Sequence, residues 1–472
     1  MKKNKLVSNF GFNIIYELTT ILSSLLMAPF LTRTLTAEKL GEYTYINSII
    51  SYFVLFAMLG FSILGNRAIA YTRDDRLKLN ITFSRVYITQ MITSITSLVC
   101  FIIFGEILQM GTIYYIIGLL IVSCIFDVSW FFKGMENFKL FSILNTSTKI
   151  IGMLLTFILI NDKNDLLTYA LIMSLVTLIG NLCGFCIALR EIHFTRISAK
   201  SVLFTIKEAL ILFVPVISVS VYKMMDKLMI GAMTHNLIGV SNYSYAEQMV
   251  NIPAGIITAL SSVALPRMAN LSIHSRTENK NIIANKILIA SCCISCAISF
   301  GLASISKNFV PLYLGDEYYD SANYLVLLSI TSILSSWTAM MRNLFLLPAK
   351  KDRVYITSVV MGACLNFILN ILLIKKYAIY GAIIATIASE LLVTIIQTIA
   401  AAQQTNMKKH ILNAIPFFFI GIIMLVVCKT ISSNLPLNWS SFFVLIGIGA
   451  IVYLALSIGY LLTLKKYSER RC

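Results

Sequence analysis

Fourteen apolar runs, most of them close to the length of a membrane crossing, follow one another along this chain with only short polar breaks. They fall at 9–31, 43–64, 83–105, 110–131, 140–160, 166–189, 208–230, 240–264, 284–304, 322–345, 354–374, 379–401, 411–430 and 441–464. A helix needs roughly 20 mostly apolar residues to cross about 30 Å of hydrocarbon. Within hydrocarbon each segment satisfies its own backbone N–H and C=O groups by coiling into a helix. The expected fold class is therefore an all-α integral membrane protein with about 14 transmembrane helices. Composition agrees: 58% of the residues are hydrophobic and 12% charged, with a mean hydropathy of +0.83, so a bilayer is the solvent that suits this surface. The connections are too short for a separate soluble domain. Lys2, Lys3 and Lys5 precede the first run, which continues through Phe30 past any small-residue cleavage site and reads as an uncleaved span.

The formal net charge of +17 raises the question of nucleic acid, but no nucleic-acid-reading motif accompanies it, and the basic residues gather between the apolar runs. Placing the N-terminus in the cytoplasm puts about 25 Lys and Arg residues in inside connections, among them Arg73, Arg76, Lys78, Lys350, Lys351, Arg353, Lys465, Lys466, Arg470 and Arg471. About six remain outside. This is the positive-inside pattern. It predicts a multi-pass protein of a bacterial inner or plasma membrane with both termini cytoplasmic, and no nucleic-acid partner.

Several chemistries are absent. There is no GxxxxGK[ST] phosphate loop and no connection long enough for a nucleotide-binding fold, which excludes direct ATP drive by this chain alone. There is no HExxH, no nucleophile elbow and no DxD pair. Nine of the ten cysteines, Cys100, Cys124, Cys183, Cys186, Cys292, Cys293, Cys296, Cys364 and Cys428, lie inside apolar runs and read as small core residues. The two CxxC spacings have no His or acidic residue nearby. His193, His235, His274 and His410 fall in connections or at span ends and read as solvated. The expectation is a non-enzyme without cofactor or metal.

What remains is charge inside the spans: Glu17, Asp127, Lys149, Lys223, Asp226, Lys227, Glu247, Arg342 and Glu390. Each costs roughly 2.5–3.5 kcal/mol at mid-membrane, so these residues face one another or water. Lys223, Asp226 and Lys227 stand three and four residues apart on one helical stripe. Either Asp226 neutralises two snorkelling lysines, or it holds them as a cationic lining for an anionic ligand. Lys149 lies about ten residues from either end of its span, too deep to snorkel, and predicts a water-filled cavity. The candidate substrate-binding cations are Lys149, Lys223, Lys227 and Arg342. The candidate coupling or charge-pairing residues are Glu17, Asp127, Asp226 and Glu247. Glu390, among small residues, reads as structural. Asn13, Tyr43, Gln248, Asn366 and Asn370 are ordinary polar candidates for reading sugars.

Gly41 and Tyr45 after the first span correspond to Gly239 and Tyr243 after the seventh, and Tyr169-Ala170 to Tyr380-Gly381, at offsets of about 200 residues. Such offsets suit an internal repeat of six spans. The expected domains are a six-helix lobe over 1–200, a second over 201–405, and two further helices with a tail over 406–472.

Several stretches resemble the Wzx-type polysaccharide flippases, in the superfamily that also holds MATE exporters and MurJ-type lipid II flippases. Asp127, Ser129, Trp130, Phe131, Phe132, Lys133, Gly134, Met135, Glu136, Phe138 and Lys139 are similar to that family's D-x-S-W-F-F-x-G-x-E-x-F-K segment. Asp226-Lys227-Leu228-Met229-Ile230-Gly231 resembles its D-[KR]-[IL]-M-[IL]-G stretch, followed by Gly239 and Tyr243. Pro266-Arg267 and then Gly315, Glu317 and Tyr318 follow in the family's order. Asn366, Asn370, Tyr380, Gly381, Ala382, Ala385, Thr386, Ser389 and Glu390 resemble its N-x-x-x-N … G-A-x-x-A-T-x-x-S-E signature. The resemblance implies two six-helix lobes in a V around a central cationic cavity, plus two C-terminal helices. It implies a lipid-linked oligosaccharide on undecaprenyl pyrophosphate as substrate, with proton, sodium or membrane potential as drive. Contact with polysaccharide polymerase machinery is a further expectation. The rival readings are a lipid II-type or teichoic precursor flippase and a MATE-like small-molecule antiporter, the latter disfavoured by basic rather than acidic residues inside the spans.

Overall fold

A computed structural model of the chain describes residues 2–274 and 277–469. Within them the chain is all helical. The first half runs α1 (Lys2–Thr34), α2 (Ala37–Met58), α3 (Phe61–Thr72), α4 (Arg76–Ile107), α5 (Thr112–Ile117), α6 (Leu119–Phe126), α7 (Ser129–Gly134), α8 (Phe138–Leu159) and α9 (Leu166–Ala188). The second half runs α10 (Ala199–Thr234), α11 (Leu237–His274), α12 (Thr277–Leu314), α13 (Tyr319–Met340), α14 (Asp352–Tyr377), α15 (Ile379–Ala402), α16 (Met407–Ser432) and α17 (Trp439–Glu469). Twelve helical segments are long and apolar enough to cross a membrane. Two of these join broken helices: α2 with α3, and α5 with α6 and α7. With α10 and α11 they complete the expected series of fourteen among the described residues.

The chain divides into two compact units, Met1–Met224 and Met225–Cys472. In the first, α1 lies against α8, α2 against α4, and α6 and α8 against α9. Its aromatic core is built by Phe61, Phe83, Trp130 and Phe131, all fully buried. In the second, α14 and α15 form a tight hairpin, α12 packs on α13 and α16, and α17 closes on α12 and α16. Cys292, Cys296 and Cys428 sit in a packed cluster there with Phe417 and Tyr453. Cys100, Cys183, Cys186 and Cys364 are exposed, so the small-core reading holds for only part of the set. In a bilayer an outward thiol meets lipid and is as well placed as an inward one.

Two helix breaks shape the first unit. The chain bends between α2 and α3, where Leu59 and Gly60 both take left-handed backbone (φ 36° and 82°). Between α6 and α7 the helix stops at Asp127 and Val128, and the carbonyls it frees are recovered by one buried side chain. Gln90 Nε2 donates to the carbonyls of Cys124 at 2.7 Å and Asp127 at 2.9 Å, while Trp130 Nε1 donates to Gln90 Oε1 at 2.8 Å. An apolar environment makes such orphaned carbonyls costly, so this glutamine fixes the break. The second unit has its own irregularity, a π-helical turn, Met341–Leu346, at the end of α13. Such turns are frequent at functional sites.

Candidate functional site

In the first unit a cavity of about 390 Å³ opens between α1, α7, α8 and α9. On α8 its wall is Asn145, Thr148, Lys149 and Gly152, and on α9 Met173, Val176, Thr177, Gly180, Asn181 and Gly184. Both sets repeat at three and four residues and so form one stripe on each helix. The stripes are more polar than the outward faces, where Ile150, Ile151, Leu154 and Ile158 are exposed. This is the arrangement that keeps polar groups away from lipid.

Lys149 lines the cavity half-buried, its Nζ 5.6 Å from the Tyr16 ring centre. Lys133, on α7, lines it too, its Nζ 4.5 Å from the Phe141 ring centre. The ring faces partly neutralise the ammonium groups while leaving N–H donors for a ligand. Asp127 joins the lining, and its Oδ1 accepts from the Ser129 N–H at 2.9 Å, capping α7. Glu17 makes no direct salt bridge with Lys149, though its carboxylate lies near enough for its charge to act on the ammonium. It is exposed on the neighbouring face, because successive helical residues point about 100° apart and Tyr16 takes the inward direction.

The remaining motif residues around Lys133 hold α7 in place. A Cβ on Gly134 would lie 2.6 Å from Ile69 Cβ and 2.9 Å from the Asn66 carbonyl, so only glycine lets α7 approach α3 this closely. Glu136 follows with left-handed backbone (φ 56°) and pairs with Arg73 at 2.7 Å.

In the second unit the charges of α10 separate in an unforeseen way. Asp226 does not neutralise Lys227. Lys227 Nζ pairs with Glu247 Oε2 of α11 at 2.8 Å, both side chains about one-fifth exposed (21% and 22%). Asp226, adjacent in sequence and so turned to another face, is 3% exposed. It accepts from Tyr243 Oη at 2.7 Å, Asn370 Nδ2 at 2.7 Å and Thr386 Oγ1. Asn370 Nδ2 also donates to Asn366 Oδ1 at 3.1 Å. Asn366 and Asn370 are fully buried around this carboxylate, which removes them from the sugar-reading candidates. Asn366 Nδ2 and Asn370 Oδ1 have no hydrogen-bond partner among the described residues. The N-x-x-x-N and G-A-x-x-A-T motifs thus serve one acidic centre built from α10, α11, α14 and α15. Gly381 sets their approach: a Cβ there would lie 2.4 Å from the Leu373 carbonyl group.

The side chain of Lys223 lies outside the described residues, as do those of Asn13, Pro266 and Arg267. Arg342 stands in the π-helical turn, its Nε donating to Asn343 Oδ1 at 3.2 Å and its guanidinium 5.4 Å from the Tyr355 ring centre. Asn343 Nδ2 in turn donates to Ser261 Oγ at 2.7 Å. Tyr43 packs on Tyr169 at 4.9 Å. His410 is not a solvated loop residue: it is buried, with Nδ1 2.9 Å from Asn285 Oδ1 and Nε2 2.9 Å from Thr405 Oγ1. Its place at the start of α16 looked peripheral in sequence, but α12 covers it. Sequence reasoning also missed Gln90, whose only signal was an amide side chain inside an apolar run.

Fourteen helical segments among the described residues, with polar and charged side chains gathered in a cavity of the first unit and an acidic centre of the second, define a multi-pass membrane protein. The chain belongs to the polysaccharide biosynthesis protein family, whose model matches residues 6–272. Among curated proteins it is similar to a putative O-antigen transporter of Shigella dysenteriae, 23% identical over 385 residues, covering 78% of this chain and 93% of the relative. A putative O-antigen transporter of Escherichia coli (strain K12) is 22% identical over 405 residues, covering 84% of this chain and 96% of the relative. Among solved structures the lipid II flippase MurJ, in an inward closed conformation, superposes with a TM-score of 0.75 at 15% identity. That match covers 97% of this chain and 99% of MurJ, and it shows the fold.

Proposed function

We propose that this protein is a flippase for lipid-linked oligosaccharides. It carries undecaprenyl-pyrophosphate-linked repeat units from the cytoplasmic to the outer leaflet, for capsule, O-antigen or exopolysaccharide assembly. Likeness over 78% and 84% of the chain to two putative O-antigen transporters supports the substrate class. The observation that carries the mechanism is the cavity in which Lys149 and Lys133 present ammonium groups with no ion pair to any described residue. Phosphate oxygens replace their lost hydration there by charge-assisted hydrogen bonds. Lys227 and Arg342 of the second unit, and Lys223, are further candidate cations for the diphosphate, Lys227 by exchanging Glu247 for it.

The lipid tail stays in the bilayer while the headgroup crosses by alternating access between two six-helix lobes, 1–200 and 201–405, with 406–472 as an added pair of helices. An inside-negative potential favours outward movement of phosphate charge by about 2.3 kcal/mol per charge per 100 mV, so no nucleotide is needed. Asp226 is the coupling centre where a proton or sodium ion is exchanged, and Glu17, Asp127 and Glu247 adjust the field around the path. The protein sits in the inner or plasma membrane with both termini cytoplasmic, as the distribution of Lys and Arg favours. It catalyses no covalent reaction and hands its cargo to polysaccharide polymerase machinery.

The test is accumulation of lipid-linked oligosaccharide in the cytoplasmic leaflet of a deletion strain, with rescue by wild type, Lys149→Ala and Asp226→Asn. Wild type is expected to clear the accumulated lipid. Both variants, expressed at wild-type level, are expected to leave it in place. Normal polymer display in the deletion strain, without accumulation, would overturn the substrate assignment.

A further inference from the structure

A second, open cavity of the first unit, about 350 Å³, is bounded by α3, the start of α4 and the start of α10. Its walls include Leu64, Arg67, Thr82, Arg85, Glu208 and Leu212. The turn between α3 and α4 and the segment leading into α10 lie on one side of the molecule, because the His193 N–H donates to Asn80 Oδ1 and the Thr195 N–H to Ser84 Oγ. Helix α4 has 32 residues, about 48 Å at 1.5 Å per residue, and so overshoots a hydrocarbon layer of about 30 Å. Arg85, nine residues beyond Arg76, therefore stands roughly 14 Å from the helix start, near the boundary between headgroups and acyl chains. Tyr71, 77% exposed at the rim with the Arg67 guanidinium 5.8 Å from its ring centre, fits the same level.

The charges in this cavity are incompletely satisfied. Arg85 and Glu208 approach to 3.9 Å, beyond hydrogen-bond distance, with side chains 26% and 38% exposed. Arg85 Nε and Glu208 Oε2 are buried without a hydrogen-bond partner among the described residues. A half-buried guanidinium and carboxylate, with the exposed Arg67 guanidinium at the rim, call for a ligand that carries both signs.

We propose that this cavity binds the headgroup of an aminoalkyl phospholipid from the leaflet it faces. The phosphate engages Arg85 and Arg67, and the primary ammonium engages Glu208. Guanidinium groups match phosphate geometry, and an ammonium brings three donors to a carboxylate. Leu64 and Leu212 receive the apolar start of the lipid. A purely anionic headgroup would leave Glu208 facing negative charge. A choline headgroup has no N–H to give it. The site is separate from the Lys149 cavity and does not depend on what that cavity transports.

The purified full-length protein is tested by native mass spectrometry after exchange into phosphatidylethanolamine, phosphatidylcholine or phosphatidylglycerol of matched acyl chains, and separately with undecaprenyl diphosphate. Wild type is expected to retain phosphatidylethanolamine about tenfold better than the other two phospholipids, in line with one charge-assisted hydrogen bond. Glu208→Gln should abolish the preference for phosphatidylethanolamine over phosphatidylcholine, and Arg85→Gln should weaken retention of all three. Leu212→Trp, which fills the cavity without changing a charge, should also displace the lipid, and remains informative if a charge variant fails to fold. Equal retention of phosphatidylethanolamine and phosphatidylcholine by wild type overturns the proposal. So does preferred retention of undecaprenyl diphosphate that Arg85→Gln abolishes, which would make the cavity a docking point for cargo.

Discussion

Glu247→Gln is expected to destabilise the second unit by about 2 kcal/mol, and the reason is the environment of its partner. At 2.8 Å the Lys227–Glu247 attraction is about 6 kcal/mol at an effective dielectric constant of about 20. Desolvation of the two ions cancels most of this. Removing one partner of a fully buried pair costs about 3–5 kcal/mol, and of an exposed pair about 0.2–1 kcal/mol. With both side chains about one-fifth exposed, a loss between these limits is expected. For a unit of this size that lowers the melting temperature by about 4–8 °C. Lys227→Gln should do the same. The reversed pair, Lys227→Glu with Glu247→Lys, should recover most of the stability. Thermal unfolding of the purified protein in detergent, followed by tryptophan fluorescence across this double-mutant cycle, gives the coupling directly. Transport by the reversed pair then separates the roles of Lys227. Recovered stability without transport places the Lys227 ammonium on the substrate path, whereas recovery of both makes the pair purely structural. If the two single losses simply add in the reversed variant, the energetic argument is refuted.

Gln90→Leu should lower the melting temperature and the yield of folded protein, because two carbonyls at the α6–α7 break and the Trp130 N–H lose their partner at about 1–3 kcal/mol per buried group. Fluorescence-detected gel filtration of heated samples checks this. Gly381→Ala should cost about 1–3 kcal/mol by forcing α14 and α15 apart, and a compensating reduction at Leu373 cannot rescue it because the clash is with backbone. The same heating assay reads the outcome. Asp165 accepts from the amides of Asn161 and Asp162, at 2.9 Å each, and these bonds hold its carboxyl below the usual carboxylate range. The folded turn therefore gains stability above that usual range and loses it as pH falls through the depressed value. Protection of the Asn161 and Asp162 amides, measured against their intrinsic exchange rates, should fall in acid for wild type and show no such step in Asp165→Asn.

The number and order of the helices are legible in the sequence because a bilayer imposes a length and a polarity on each segment, and both are local properties. The cost of charge in hydrocarbon likewise marks Lys149, Asp226, Lys227, Glu247 and Arg342 as inward-facing independently of any contact. Pairing is another matter. Asp226 and Lys227 are neighbours in sequence, yet a turn of about 100° per residue sends one toward Tyr243, Asn370 and Thr386 and the other toward Glu247. These partners come from helices 17 to 160 residues away, and no local pattern ranks one acidic or amide side chain above another. How near Glu17 comes to Lys149 is undetermined in sequence for the same reason, since which face of α1 meets α8 is set by the packing of the whole helix. Gln90 and His410 read as unremarkable because their importance lies in a broken helix and a covering helix that only assembly supplies. A bundle of membrane helices with its charge turned inward is thus encoded locally, residue by residue, whereas which charges meet is settled on assembly, because a helix's rotation about its axis is fixed by neighbours distant in the chain.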